Sequence, residues 1–166
     1  MRKSSWIAAI SLFACAAIAG SGARAQWAAP EPEPLSAFPQ SLLAIRTTAG
    51  KVVNFKIWTA DSPRREEQGL MFVHDMDEHA GMLFLFPGNP EPTMWMKNTF
   101  IPLDLLFINE KGRIEYVAAS ATPQSLSVIR SPKPSLAVLE LKGGACGLLG
   151  IKVGDTVVHS SFHNAK

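Results

Sequence analysis

Alternating apolar and polar residues form the clearest local pattern in the chain, and this pattern predicts β-strands. From Val53 to Ile57 every second residue is large and apolar, and the residues between them are polar. A period of two places the apolar side chains on one face of a strand. The strand-like run 42–47 precedes this segment, and the intervening Ala49-Gly50 is a turn signal. The two runs therefore predict a β-hairpin.

Six further segments have the length and composition of strands. The run 82–86 is apolar throughout, which is typical of a strand buried on both faces. The other candidates are 93–98, 103–108, 113–118, 136–141 and 156–162. Together with the hairpin they give about eight short strands.

A short helix is predicted directly after the hairpin. Ser62 can cap it, Pro63 suits its first position and Gly69 can end it. A second helical turn is predicted at Cys146–Leu149. We therefore expect a mainly β fold, a compact jelly-roll-like sandwich or barrel of about eight short strands with one or two short helices.

The first 25 residues have the parts of an export signal. Two basic residues precede the apolar segment 6–20, and a small-x-small cleavage pattern ends at Ala25. The apolar segment is shorter than the about 20 residues that span a bilayer, and no later stretch is longer. We expect an exported protein without a transmembrane segment, either periplasmic or secreted.

The remaining chain divides into three parts. Residues 26–41 contain four prolines and predict a Pro-rich linker or arm. Residues 42–160 are expected to form a single β domain, and 161–166 a tail. Lipidation at Cys15 is a rival interpretation of the N-terminal segment, but Phe13 fits that motif poorly.

Charge and cysteine content exclude some functions. Removal of residues 1–25 lowers the number of basic residues from 16 to 13, against 14 acidic residues. No basic surface then remains to predict nucleic-acid binding. Cys146 is the only cysteine left, so no internal disulfide can form. It resembles a small buried apolar residue more than a nucleophile.

One charge of each sign interrupts the apolar stretch 93–108. If this stretch is a hairpin with a loop at Thr99–Pro102, Lys97 lies directly opposite Asp104. Trp95 then shares their face, and Asn98 lies on the other face. Two interpretations stay open, a structural pin that fixes the strand register and a binding site.

Two sets of residues could hold a metal. The segment 74–79 has His74 and His79 with three acidic residues, although its spacing matches no strong metal motif. The second set consists of methionines and could bind Cu(I), but the filling of gaps in the hydrophobic core explains these methionines better. It consists of Met71, Met76, Met82, Met94 and Met96. We expect no metal and no cofactor.

Four motifs resemble one family. They are "QGLMFVHDM", "GMLFLFP", "MWMKNTFIPLDLLFI" and "LELKGGACGLLGIKVGD". In this order they resemble the domain of unknown function 192 family over roughly residues 42–160. The resemblance implies a mainly β, jelly-roll-like fold and frequent export signals, but no agreed catalytic residues. Members often have Arg two positions after Gly-Leu-Met, where this chain has Val73.

The leading functional hypothesis is a binding protein. It would bind a small ligand or an exported protein partner at a polar site formed by Trp95, Lys97, Asn98 and Asp104. An enzyme is the second hypothesis, a hydrolase or lyase with Asp104 as base and Lys97 as electrostatic stabiliser. A structural accessory protein is the third. The sequence names no catalytic residue and leaves the oligomeric state open.

Overall fold

The computed structural model describes residues 31–88 and 91–165. The predicted signal peptide and most of the predicted arm lie outside the described residues. Export and the division of the chain into signal, arm, domain and tail therefore stay predictions.

Nine strands and two short helices make up the described fold. The strands are β1 Gln40–Arg46, β2 Val52–Ala60, β3 Ala80–Leu85, β4 Thr93–Met94, β5 Leu103–Ile108, β6 Ile114–Ala121, β7 Ile129–Arg130, β8 Ala137–Lys142 and β9 Thr156–Val158. The helices are α1 Pro63–Gln68 and α2 Ala145–Leu149, with 3-10 turns at Leu35–Ala37 and Ser160–Phe162. No helix among the described residues is long and apolar enough to cross a membrane.

Seven of the strands form one sheet in the order β6-β5-β8-β3-β2-β1-β9. The pair β2–β3 is parallel, and all other neighbours in this sheet are antiparallel. Strands β4 and β7 form a separate two-stranded sheet. The prediction of a mainly β fold with short strands and two short helices is confirmed, and the main sheet curls into a half-barrel.

The two edge strands of the sheet meet at one corner. The Ile114 N–H donates to the Asp155 carbonyl at 2.9 Å, and the Val157 N–H donates to the Gly112 carbonyl at 2.7 Å. An isolated bridge between Arg113 and Thr156 lies at the same place. These bonds join β6 to β9 and account for the curl.

Each face of the sheet is covered by a hydrophobic core. The first core includes Phe55, Leu106, Leu139, Leu141, Cys146 and Val157. The second core includes Leu70, Met82, Phe84, Met96, Leu105 and Val138. Alternate residues of β8 enter alternate cores, so this central strand is covered on both faces.

Local sequence signals account for the hairpin and the first helix. Strands β1 and β2 pair around Gly50, whose φ of 86° is a conformation that favours glycine. The Ser62 side chain accepts from the Arg65 N–H, and Pro63 opens α1 as predicted. The predicted strand 93–98 is wrong beyond Met94, because the chain turns away after pairing with β7.

Candidate functional site

The predicted hairpin between residues 93–98 and 103–108 does not exist. Strand β5 pairs with β6 on one side and β8 on the other. Asp104 lies opposite Leu141, so its side chain is on the face of the first core. Lys97 is exposed near the second core. The prediction that Lys97 pairs with Asp104 is therefore wrong, as is the interpretation of that pair as a register pin.

Asp104 is instead bonded to backbone groups. It is 0 % exposed. Its carboxylate accepts from the Ser120 N–H at 2.7 Å, the Gly144 N–H at 3.0 Å and the Cys146 N–H at 2.8 Å. Two of these donors lie at the start of α2, where helical N–H groups lack partners within the helix. Asp104 thus fixes α2 and the end of β6 to the sheet.

Glu140 is the buried carboxyl group without such partners. It is 4 % exposed and lies opposite Met82 on β3 and Leu105 on β5, on the face of the second core. Among the described residues its carboxyl group makes no hydrogen bond and no ion pair. Burial raises the pKa of Glu140 to about 8. Near neutral pH the group is therefore largely protonated and can donate a hydrogen bond.

The Glu140 side chain lines a cavity of about 80 Å³, which we call the Glu140 cavity. Its walls come from α1 and the turn after it, from β3 and its extension, and from the segment after β4. The lining residues are 66–71, Phe84, Phe86, 93–95, Lys97, Thr99 and Glu140. Lys97 and Trp95, both predicted as site residues, therefore share this cavity with Glu140, whereas Asp104 does not line it.

A close backbone approach shapes one wall of the cavity. Gly69 ends α1 with a φ of 50°, and a Cβ atom at this position would lie 3.1 Å from Cζ of Phe84. Only a residue without a side chain lets the end of α1 pack this closely on β3. The Gly-Leu-Met stretch therefore brings Leu70 and Met71 to the cavity.

Met96 anchors the opposite wall. Its side chain is fully buried, and its N–H donates to the Ser125 carbonyl at 3.0 Å. The Thr99 N–H donates to the Met96 carbonyl at 3.1 Å, which closes a tight turn. Trp95 and Lys97 flank this anchor and turn outward to the mouth of the cavity.

The side chains at the mouth contact each other. The Lys97 ammonium lies 4.9 Å from the centre of the Trp95 ring, which is a cation–π geometry. Trp95 is 43 % exposed, a large exposed fraction for this residue type. Asn98 lies beside the mouth, where its carbonyl accepts from the Phe72 N–H at 2.9 Å, but it does not line the cavity.

A larger open cleft of about 480 Å³ lies between the turn after β5 and the start of β8. Three of its polar side chains are already paired with one another. Glu115 accepts from Asn109 at 2.7 Å and forms an ion pair with Lys133 at 3.2 Å. The smaller Glu140 cavity is the better candidate because its buried polar group has no partner.

The two histidines considered for metal binding make separate contacts. His74 stacks on Phe100, whereas Nδ1 of His79 contacts the Asn54 carbonyl at 3.0 Å. Within 31–88 and 91–165, no group of three His, Cys, Asp or Glu side chains could hold a metal ion. Three of the five methionines, Met76, Met82 and Met96, are buried in the second core.

Cys146 and Val73 have structural positions. Cys146 is buried and free, and burial raises the pKa of its thiol, so the reactive thiolate is disfavoured. Val73 packs against the second core. No arginine lines the Glu140 cavity in the described part of the chain.

The family profile of DUF192, uncharacterized ACR, matches residues 44–159. The chain belongs to the DUF192 family. No curated protein matches this DUF192 chain.

Two solved structures are similar to this DUF192 domain. One is a proposed transcription regulator from Sinorhizobium meliloti 1021, with 35 % identity and a TM-score of 0.73, covering 75 % of this chain and 96 % of that one. The other is a protein of unknown function from Novosphingobium aromaticivorans DSM 12444. It has 35 % identity and a TM-score of 0.72, covering 80 % of this chain and 94 % of that one.

Proposed function

We propose that this protein is an exported binding protein that holds a small ligand, or a side chain of an exported partner, in the Glu140 cavity. The supporting observation is the buried carboxyl group of Glu140, which has no hydrogen-bond partner in the described protein. No fully buried side-chain nitrogen or oxygen of the described residues lacks a partner, so the Glu140 oxygens, which have none within the described protein, are open to the space of the cavity. A ligand would supply the missing partner.

The proposed site differs from the one that the sequence predicts. Lys97 and Trp95 remain part of it, because both line the cavity mouth. Asn98 has a positioning role beside the mouth. Asp104 is not part of it, because its oxygens are bonded to backbone N–H groups. Polar and apolar side chains line the cavity in about equal numbers, and ligand sites combine apolar walls with placed polar groups.

Catalysis is a second candidate, supported by the pKa of Glu140. A carboxyl group with a pKa of about 8 in a cavity has the properties of a general acid or base near neutral pH. A hydrolase or lyase would then use Glu140 in the role that the sequence suggests for Asp104. Binding is the simpler proposal, because no Ser, Cys or His is among the described lining residues to act beside Glu140.

Methionine methyl NMR can test ligand binding in the full-length chain. Met71 and Met94 line the cavity, and Met76 is buried in the second core away from its lining. A panel of small amines, alcohols and carboxylates is titrated into protein with 13C-labelled methionine methyl groups. We expect at least one compound to shift the Met71 and Met94 signals and to leave the Met76 signal in place.

The control replaces the buried carboxyl group. Glu140→Gln has nearly the same shape, whereas Glu110→Gln removes a charge from an exposed position outside the cavity. We expect the first substitution to change the binding and the second to leave it unchanged. If no compound of any charge moves Met71 or Met94, the proposed function is wrong.

A further inference from the structure

The chemical composition of the Glu140 cavity indicates which kind of ligand it accepts. Three acidic residues line it, Glu66, Glu67 and Glu140, against one basic residue, Lys97. The buried one, Glu140, has no partner in the described protein. We infer that the cavity binds the terminal ammonium group of an alkylamine. This inference rests on the proposed binding function and names the ligand class.

The mouth of the cavity already holds one cation against an aromatic ring. The Lys97 ammonium lies 4.9 Å from the centre of the exposed Trp95 ring. The face of an indole ring attracts cations because of its negative π-electron density. An incoming ammonium group would meet this ring first and then the carboxyl group of Glu140 deeper in the cavity. The Lys97 ammonium therefore lies at the position through which an incoming amine would pass.

The walls suit the alkyl part of such a ligand. Leu70, Met71, Phe84 and Met94 give the cavity apolar sides. Its volume of about 80 Å³ is far below the roughly 300–1,000 Å³ of pockets that enclose a whole small molecule, so only a terminal group and a short stretch of chain can enter. The rest of the ligand would remain outside, against the exposed ring of Trp95.

Two anionic alternatives fit less well. A carboxylate or phosphate ligand would face the carboxyl groups of Glu66 and Glu67 as well as Glu140, and only Lys97 would attract it. Above pH 8, where Glu140 is mostly ionised, a like charge placed beside this buried carboxylate is unfavourable. A neutral alcohol could accept a hydrogen bond from protonated Glu140, but it would gain nothing from the other two carboxyl groups.

A matched series of ligands tests the inference in the full-length protein. Butylamine, 1-butanol and butyrate have the same alkyl chain and differ in the charge of the terminal group. At pH 9 we expect butylamine to shift the Met71 and Met94 methyl signals with an affinity at least about tenfold above that of butanol, because hydrogen bonds to charged groups are the stronger ones. Butyrate should bind most weakly.

The pH dependence identifies the carboxyl group responsible. Below the pKa of Glu140 a bound ammonium must compete with the proton, so butylamine affinity should fall roughly fiftyfold from pH 8 to pH 6. Glu66, Glu67 and Lys97 also face the cavity. Glu140→Gln should therefore lower amine affinity and remove the pH dependence, and Glu110→Gln should leave both unchanged.

The possible outcomes separate the two proposals. Butanol or butyrate shifting Met71 and Met94 more strongly than butylamine overturns the amine inference and leaves a binding site. An amine affinity that is the same in Glu140→Gln also overturns it. No shift with any of the three overturns both. The comparison among ligands uses the unaltered protein, so it holds even if a variant does not fold.

Two further ligands distinguish the source of the amine. 1,4-Diaminobutane represents a free polyamine, and Nα-acetyl-lysine methylamide represents a lysine side chain of a protein partner. Tighter binding of the first indicates a free amine, and tighter binding of the second indicates a partner side chain. Both results support the ammonium site.

Discussion

Asp104 and Glu140 are buried carboxyl groups on neighbouring strands, yet their surroundings differ completely. In the β5–β8 pair Asp104 lies opposite Leu141, and Glu140 lies opposite Leu105. The two side chains therefore enter opposite faces of the same sheet. Asp104 accepts three backbone hydrogen bonds, whereas Glu140 has no partner in the described residues and faces a cavity.

The difference separates a structural carboxylate from a functional one. A buried carboxylate whose oxygens already accept backbone bonds holds the fold together and has no free position for a ligand. A buried carboxyl group without hydrogen-bond partners lowers the stability of the fold. Such a loss of stability is typical of binding and catalytic sites. Burial alone therefore does not identify a site, and the hydrogen-bond partners decide.

The largest effect is expected at Asp104. Asp104→Ala would leave the N–H groups of Ser120, Gly144 and Cys146 without their acceptor. At about 1–3 kcal/mol for each stranded group, the free energy of unfolding should fall by about 5 kcal/mol. Urea denaturation measures this change. The exposed Asp75→Ala, which breaks a surface ion pair with Lys142, should leave the urea midpoint almost unchanged. Equal losses would contradict the structural role of Asp104.

At Glu140 a substitution is expected to raise the stability at high pH, which is the opposite of the result expected at Asp104. Folding raises the pKa of Glu140 from its ordinary 4.5 to about 8, so the folded state binds this proton more tightly than the unfolded state. The resulting stability is complete below pH 4.5 and is lost as the pH rises to about 8. At 1.36 kcal/mol per pH unit, the loss between pH 5 and pH 8 is about 4 kcal/mol.

Denaturation of the protein and of Glu140→Gln across this pH range measures the effect. The variant has no ionisable group at the position, so its stability should decline less with pH, and at pH 8 it should exceed that of the unaltered protein. A parallel pH dependence in both proteins would show that Glu140 is not the group responsible.

The smallest effect is expected at Lys97. The predicted pair with Asp104 would make Lys97→Met cost about 3–5 kcal/mol, because a buried charge would be stranded. The structure instead places the ammonium over Trp95 at the surface. We expect a change within about 0.5 kcal/mol in urea denaturation, similar to that of Lys56→Met at another exposed position. A loss of several kcal/mol would contradict this expectation and support the predicted pair of Lys97 with Asp104.

Local patterns predicted the elements well. The β1–β2 hairpin follows from alternation and the Gly50 turn, and α1 begins and ends where Ser62 and Gly69 indicate. The predicted strand 103–108 coincides with β5. These features depend on neighbouring residues, and their sequence signals are therefore short and readable.

The candidate site could not be predicted from local patterns, because it depends on contacts between residues that are far apart in the sequence. The backbone partners of Asp104 lie 16, 40 and 42 residues away along the chain. The hairpin prediction assumed that consecutive strands pair, but β8 lies beside β5 instead. One signal for Glu140 was present, a single charged residue within the apolar strand 136–141. Its alternation with Val138 indicates burial, but only the structure shows that no partner meets it.

The corner where β6 meets β9 has a consequence for self-association. An open edge of a sheet offers unpaired N–H and C=O groups to which another chain can add a strand, and proteins that leave such edges bare tend to aggregate. Here the first residues of β6 bond to the turn before β9. Each edge thereby shields part of the other, and β9, at three residues, leaves little length for a foreign strand.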